Sequence, residues 1–218
     1  MLLQKNDSLL MYGDSITDCG RPMPEGEGCP AFSPWGTGYV NLVAGLLGAC
    51  YPELNIRVIN KGTSGDQVRD LLARFDTDVA PLHPDVISIL IGANDAWRCF
   101  DCPAQPEKHV SVEEYAQELD TLAERCLALT GRVVLMAPFH IETNPDDPMR
   151  RKLREFASCA QDVAVRRGLV FVDLQEPFDA LLQHMHPYAL SWDRVHPNVV
   201  GHMTIARSFL AAVGADRC

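Results

Sequence analysis

Five residues of this chain have the types needed to attack and stabilise a carbonyl group: Ser15, Gly65, Asn94, Asp193 and His196. Ser15 stands in GDSITDCG, residues 13–20, directly after a short apolar run. A serine hydroxyl is a poor nucleophile unless a base removes its proton. His196 suits that task because imidazole titrates near neutral pH. Asp193 precedes His196 in WDRVHPN, close enough for a carboxylate to reach the second ring nitrogen and fix the tautomer. The attacked carbonyl becomes an oxyanion and needs donors aimed at it. The Ser15 N–H, the Gly65 N–H in NKGTSGD and the Asn94 side-chain amide in GAND are the candidates. Gly65 is expected to let the backbone come close to a substrate, with no Cβ in the way.

Singly, each residue has a plainer reading. Serine at a strand–helix junction commonly caps the helix, Asn94-Asp95 is a turn pair, and His196-Pro197 could simply open a helix. The elements around them give the set its force. SLLMYG, NIRVIN, DVISILIG, GRVVLMAP and LVFVDL read as five strands. Helical patterns lie between them. TGYVNLVAGLLGAC presents Tyr39, Leu42, Val43, Leu46 and Leu47 on one face, and DQVRDLLARFDTDVA presents Val68, Leu71, Leu72 and Phe75. SVEEYAQELDTLAERCLALT opens on Ser111 and Glu114, a capping-box pair. DPMRRKLREFASCAQDVAVRRG has Pro148 in its first turn and Gly168 at its end. A short helix over 176–184 and a final one in HPNVVGHMTIARSFLAAVG complete the set, while NDAWRCFDCPAQPEKHV reads as an irregular loop. Alternation of this kind predicts parallel strands in a three-layer α/β/α sandwich, one domain over residues 1–218. Ligands of such sheets sit beyond the carboxyl ends of the strands. The blocks holding Ser15, Gly65, Asn94 and the Asp193–His196 pair each follow a strand, so they should meet on one rim.

The formal net charge of −10 argues against binding nucleic acid or an anionic membrane. No leader-like segment and no membrane-length apolar run is evident, which predicts a cytoplasmic protein. Eight scattered cysteines fit that location as free thiols, the Cys99/Cys102 pair included. His184 and His186 form an HxH with no evident partner for a metal, so they read as surface or subunit-contact residues.

GDSITD, NKGTSGD, GAND and DRVHP resemble, in order, the four signature blocks of the SGNH (GDSL) hydrolase superfamily. The longer stretches GDSITDCGRPMPEGEG, GTGYV, YPELNIRVINKGTSGDQVRDL, DPMRR and WDRVHPNVVGHM are most similar to its intracellular bacterial acetylxylan esterases, while CPAFSPWGTGY departs from their pattern. The resemblance implies a flavodoxin-like sheet in the order 2-1-3-4-5, with no metal or organic cofactor. It implies Ser15 as nucleophile, Asp193 and His196 as its partners, and Ser15, Gly65 and Asn94 as the oxyanion hole. It further implies a small acetylated saccharide as substrate and a homo-oligomeric state. Trp97 and Trp192 offer aromatic faces for a sugar ring, and Arg98 a contact to a substrate oxygen. Two other expectations stand beside this one: a lysophospholipase or acyl-thioesterase on the same scaffold, and a non-catalytic carbohydrate-binding or assembly protein.

Overall fold

Five short apolar runs pair into one parallel sheet in the order β2-β1-β3-β4-β5. A computed structural model describes residues 1–22 and 34–217; most of the PMPEGEG stretch and the start of CPAFSPWGTGY lie outside the described residues. The strands are β1 (Ser8–Gly13), β2 (Arg57–Gly62), β3 (Val86–Leu90), β4 (Val133–Met136) and β5 (Val170–Val172). Every residue of β3 and β4 is buried, as a strand covered on both faces requires. The helices are α1 (Ser15–Asp18), α2 (Tyr39–Cys50), α3 (Val68–Asp78), α4 (Ala93–Asp101), α5 (Val112–Leu129), α6 (Pro148–Arg167), α7 (Gln175–Leu182) and α8 (Val199–Ala212). They bury their apolar stripes against the sheet: Tyr39, Val43 and Leu47 from α2, Leu119, Leu122 and Cys126 from α5, Phe156 and Ala160 from α6. The result is one connected core. The fold and strand order expected from the sequence are the ones observed.

One segment differs. The stretch expected as an irregular loop holds helix α4 and a single 3₁₀ turn, Pro106–Lys108. Its prolines, Pro103 and Pro106, follow the helix and end it rather than preventing it. Gly92, at φ +126°, turns the chain out of β3, and Ala93 and Ala96 bury beneath the new helix. The predicted capping box at α5 is half realised: Ser111 Oγ accepts from the Glu114 N–H at 3.1 Å, while the Glu114 carboxylate pairs with Arg69 at 2.8 Å.

Cys19, Cys99, Cys102, Cys126 and Cys159 are free. Cys50 is disulfide-bonded, contrary to the expectation of free thiols throughout. No described helix is long and apolar enough to cross a membrane.

Candidate active site

β1 ends at Gly13, and α1 begins two residues later with Ser15. Capping falls to Asp14, whose Oδ1 accepts from the Ile16 N–H at 2.9 Å. The Ser15 hydroxyl is therefore not consumed by its own helix. Asn60 holds this turn to β2. Its Nδ2 donates to the Thr17 carbonyl at 2.7 Å and the Trp35 carbonyl at 2.9 Å, and its Oδ1 accepts from the Gly62 N–H at 2.8 Å. The fit at Gly62 is close: a Cβ there would lie 2.1 Å from the Asp18 nitrogen. Only glycine lets α1 pack this tightly on the end of β2.

Ser15 Oγ lies 2.8 Å from His196 Nε2, and His196 Nδ1 lies 2.6 Å from Asp193 Oδ2. Asp193 Oδ1 accepts three hydrogen bonds, from Ser191 Oγ (2.9 Å), the Val195 N–H (3.0 Å) and the His196 N–H (2.8 Å). Burial pushes the Asp193 pKa up, but these donors and the imidazole outweigh it and hold the carboxyl below its usual range. An anionic Asp193 accepts a hydrogen bond from Nδ1–H and so holds the proton on that nitrogen, which leaves Nε2 to accept from Ser15.

The loop after β2 is tied to the same turn. The Thr63 N–H donates to the Gly13 carbonyl at 3.0 Å, and Ser64 Oγ donates to Asp18 Oδ2 at 2.6 Å. Gly65 follows at φ +92°. A Cβ at Gly65 would meet no described protein atom within 4 Å; the left-handed backbone by itself calls for glycine there. Asn94 Nδ2 donates to the Asp66 carbonyl at 2.9 Å, which brings the GAND block beside this loop. The four sequence blocks thus meet on one rim and bring together a hydroxyl, an imidazole, a carboxylate and the candidate oxyanion donors. Asn94→Ala is expected to lower kcat by ~10²–10³ with little change in KM, the usual loss for one preorganised donor. Steady-state kinetics on p-nitrophenyl acetate checks this; an effect confined to KM would make Asn94 a binding residue.

The aromatic candidates separate. The Trp97 ring is tilted against His196, with centroids 5.6 Å apart, whereas Trp192 is 76% exposed. The Arg98 guanidinium reaches Asn94 Oδ1 at 3.1 Å and pairs with Asp101. His186 stacks on Tyr188 at 5.5 Å. Among the described residues no group of three or more His, Cys, Asp or Glu is placed to hold a metal.

Several residues near the site carry no sequence signal. His202, on α8, accepts from the Tyr39 N–H at its Nδ1 (3.2 Å), so its Nε2 proton faces Cys19 Sγ at 3.4 Å. Burial and the nearby His196 lower its pKa to about 4, which keeps it neutral. His140 is buried with neither ring nitrogen hydrogen-bonded, its Nε2 lying 3.7 Å from Asp147 Oδ1. It borders a cleft of about 230 Å³ that reaches Trp97 and Asp193.

Two carboxyls lie buried near the triad. Asp14 and Asp95 each have one oxygen without a partner, and burial raises both pKa values to about 7. Asp95 Oδ1 accepts from the Val68 N–H at 3.0 Å, which ties α4 to the start of α3. A carboxyl whose pKa is raised on folding stabilises the fold below its unfolded pKa. That contribution is lost as pH rises through the folded pKa. For Asp95 the window runs from 3.8 to about 7, a shift on the order of 4 kcal/mol. Asp95→Asn keeps an acceptor for Val68 and removes the ionisation. Its Tm relative to the parent is expected to rise between pH 4 and pH 8; a constant difference in thermal melts across that range would contradict this.

Residues 11–203 match the model of the GDSL-like lipase/acylhydrolase family. The chain is 50% identical over 216 residues to an acetylxylan esterase of Geobacillus stearothermophilus, covering 99% of this chain and 98% of that protein. The crystal structure of that esterase superposes with a TM-score of 0.94 over 98% of this chain and 97% of the other. Further structures of it are of catalytic mutants in which a serine, an aspartate or a histidine is replaced by alanine, and it is also called an acetyl-xylooligosaccharide esterase. An α/β hydrolase from the metagenome of Lake Arreo, Spain, is 43% identical with a TM-score of 0.96, covering 100% of both chains.

Proposed function

The chain belongs to the GDSL-like lipase/acylhydrolase family, and from that premise we propose that it is a serine esterase removing acetyl groups from acetylated xylo-oligosaccharides or similar sugars. The observation that carries the chemistry is the unbroken chain of hydrogen bonds from Ser15 Oγ through His196 to Asp193, at 2.8 and 2.6 Å. Ser15 Oγ attacks the acetyl carbonyl as His196 Nε2 takes its proton. The resulting oxyanion accepts hydrogen bonds from the Ser15 and Gly65 N–H groups and the Asn94 amide. The intermediate collapses, and His196 returns the proton to the departing sugar hydroxyl. Water then attacks acetyl-Ser15 with His196 again as base, and acetate leaves. Asp193 stays ionised throughout and stabilises the imidazolium in both half-reactions.

The substrate class rests on two supports. The relatives matching over almost the whole chain include an acetyl-xylooligosaccharide esterase. The segments after the strands, NKGTSGD, NDAWRC and SWDRVHPN, are polar, charged or glycine-rich, with the Trp97 ring beside His196 as apolar surface. A long acyl chain needs an apolar trough, since each buried CH₂ contributes ~0.8 kcal/mol. A stacked sugar ring needs an aromatic face and polar neighbours.

The test is a panel of acetylated xylo-oligosaccharides beside p-nitrophenyl esters of rising length. Deacetylation of the sugars is expected, with kcat/KM falling from acetyl to butyryl to octanoyl. Faster cleavage of octanoyl esters, palmitoyl thioesters or lysophospholipids would replace the reading with the lysophospholipase or thioesterase one. The proposal also carries a cytoplasmic location and a homo-oligomeric state, checked by cell fractionation and light scattering.

A further inference from the structure

The amide of Asn94 has two N–H donors and a carbonyl that accepts. Its value to an oxyanion depends on which end faces the reacting atom. In this structure both ends are already engaged from behind. Nδ2 donates one hydrogen to the Asp66 carbonyl at 2.9 Å. Oδ1 accepts from the Arg98 guanidinium at 3.1 Å. Asn94 is 3% exposed, so water does not substitute freely for either partner. One N–H is left over.

Arg98 is itself fixed. It lies one turn after Asn94 on α4, so helix geometry places the two side chains on the same face. Its Nη1 pairs with Asp101, and its guanidinium lies over the Trp97 ring at 5.5 Å. Trp97 in turn packs against His196. A substrate-binding arginine would leave its fork open to solvent; this one divides its fork between Asp101 and Asn94, and its side chain is three-quarters buried.

We propose that Arg98 is a positioning residue for the oxyanion hole, holding Asn94 Oδ1 so that the remaining amide N–H stays aimed at the developing negative charge. This rests on the reading of Asn94 as an oxyanion donor. The cation contributes in two ways. It makes the flipped amide unfavourable, because a flip would turn the NH₂ group toward the guanidinium and Oδ1 toward the Asp66 carbonyl. It also withdraws electron density from the amide, and a polarised chain of hydrogen bonds donates more strongly at its far end. Both effects are present before the reaction begins, which is what electrostatic preorganisation requires.

The test is a double-mutant cycle on p-nitrophenyl acetate, which carries no sugar and so separates this inference from the substrate assignment. Arg98→Met keeps an unbranched side chain on this face of α4 and removes the charge. It is expected to lower kcat by roughly tenfold with KM changed less than twofold, a fraction of the loss expected for Asn94→Ala. In an Asn94→Ala background the same change is expected to have less than a twofold effect, because the group it positions is gone. Arg98→Lys, which retains a cation, is expected to recover part of the rate. Circular dichroism melts on each variant establish that the comparison is between folded proteins; if Arg98→Met does not fold, Arg98→Lys against Arg98→Gln carries the cycle. A rise in KM at constant kcat would make Arg98 a substrate contact and overturn the proposal, as would full additivity with Asn94→Ala. If Asn94→Ala alone leaves kcat intact, the oxyanion assignment fails with it, while deacetylation by the parent enzyme still stands.

Discussion

Ser15→Ala is expected to lower kcat by roughly 10⁶-fold, the cost of removing the nucleophile from a serine–histidine–aspartate unit. The fold is expected to survive. The Ser15 hydroxyl is bonded to His196 alone among the contacts described for it, and the cap of α1 belongs to Asp14. Tm is therefore expected to move little while turnover disappears. An active-site serine reagent should label Ser15 in the parent and nothing in the variant. Near-normal hydrolysis by the folded variant would place the nucleophile elsewhere.

Asp193→Asn is expected to cost about 10⁴-fold in kcat, and the hydrogen bonds around Asp193 show why a nearly isosteric change should do so much. Oδ1 of Asp193 accepts from three donors, Ser191 Oγ and the Val195 and His196 N–H groups. An asparagine must place its carbonyl there, because its NH₂ group would oppose three hydrogens. The NH₂ then faces His196 Nδ1 and donates to it. The imidazole must carry its remaining proton on Nε2, pointing at Ser15, so it cannot take the serine proton. The geometry stays and the tautomer is wrong. Kinetics of Asp193→Asn, with a thermal melt to establish the fold, decides the point. A loss of less than tenfold would mean that Asp193 does not set the tautomer.

Strands β1, β3 and β4 are legible because they are covered on both faces, so their apolar runs are nearly continuous; the VISIL of β3 is fully buried from end to end. The Ser15, Gly65 and Asn94 blocks are legible because each directly follows a strand, where this sheet topology gathers ligands, while the Asp193–His196 pair comes after α7 and just before α8. What was missed falls into two kinds. Helix α4 was hidden by Pro103 and Pro106, whose influence was carried too far back along the chain. Asn60, His140 and His202 were hidden because their roles depend on partners distant in sequence: Asn60 on the turn at Thr17, His202 on the Tyr39 N–H. A buried asparagine inside a strand was the one signal available for the first. Gly65 has a further reason to be glycine that its motif does not display, a left-handed backbone at φ +92°. Arg98 was weighed as a contact to substrate, and its bond to Asn94 is visible only once α4 is known to be a helix.

The central claim is that Ser15 becomes acetylated and then hydrolysed during turnover. The direct measurement is rapid acid quench of the parent enzyme with excess acetylated xylo-oligosaccharide, followed by peptide mass spectrometry. The expected result is one acetyl group on the peptide spanning Ser15, formed within a single turnover and absent from Ser15→Ala. Steady turnover with no acetylated peptide, or with the acetyl group on any other residue, would contradict the account.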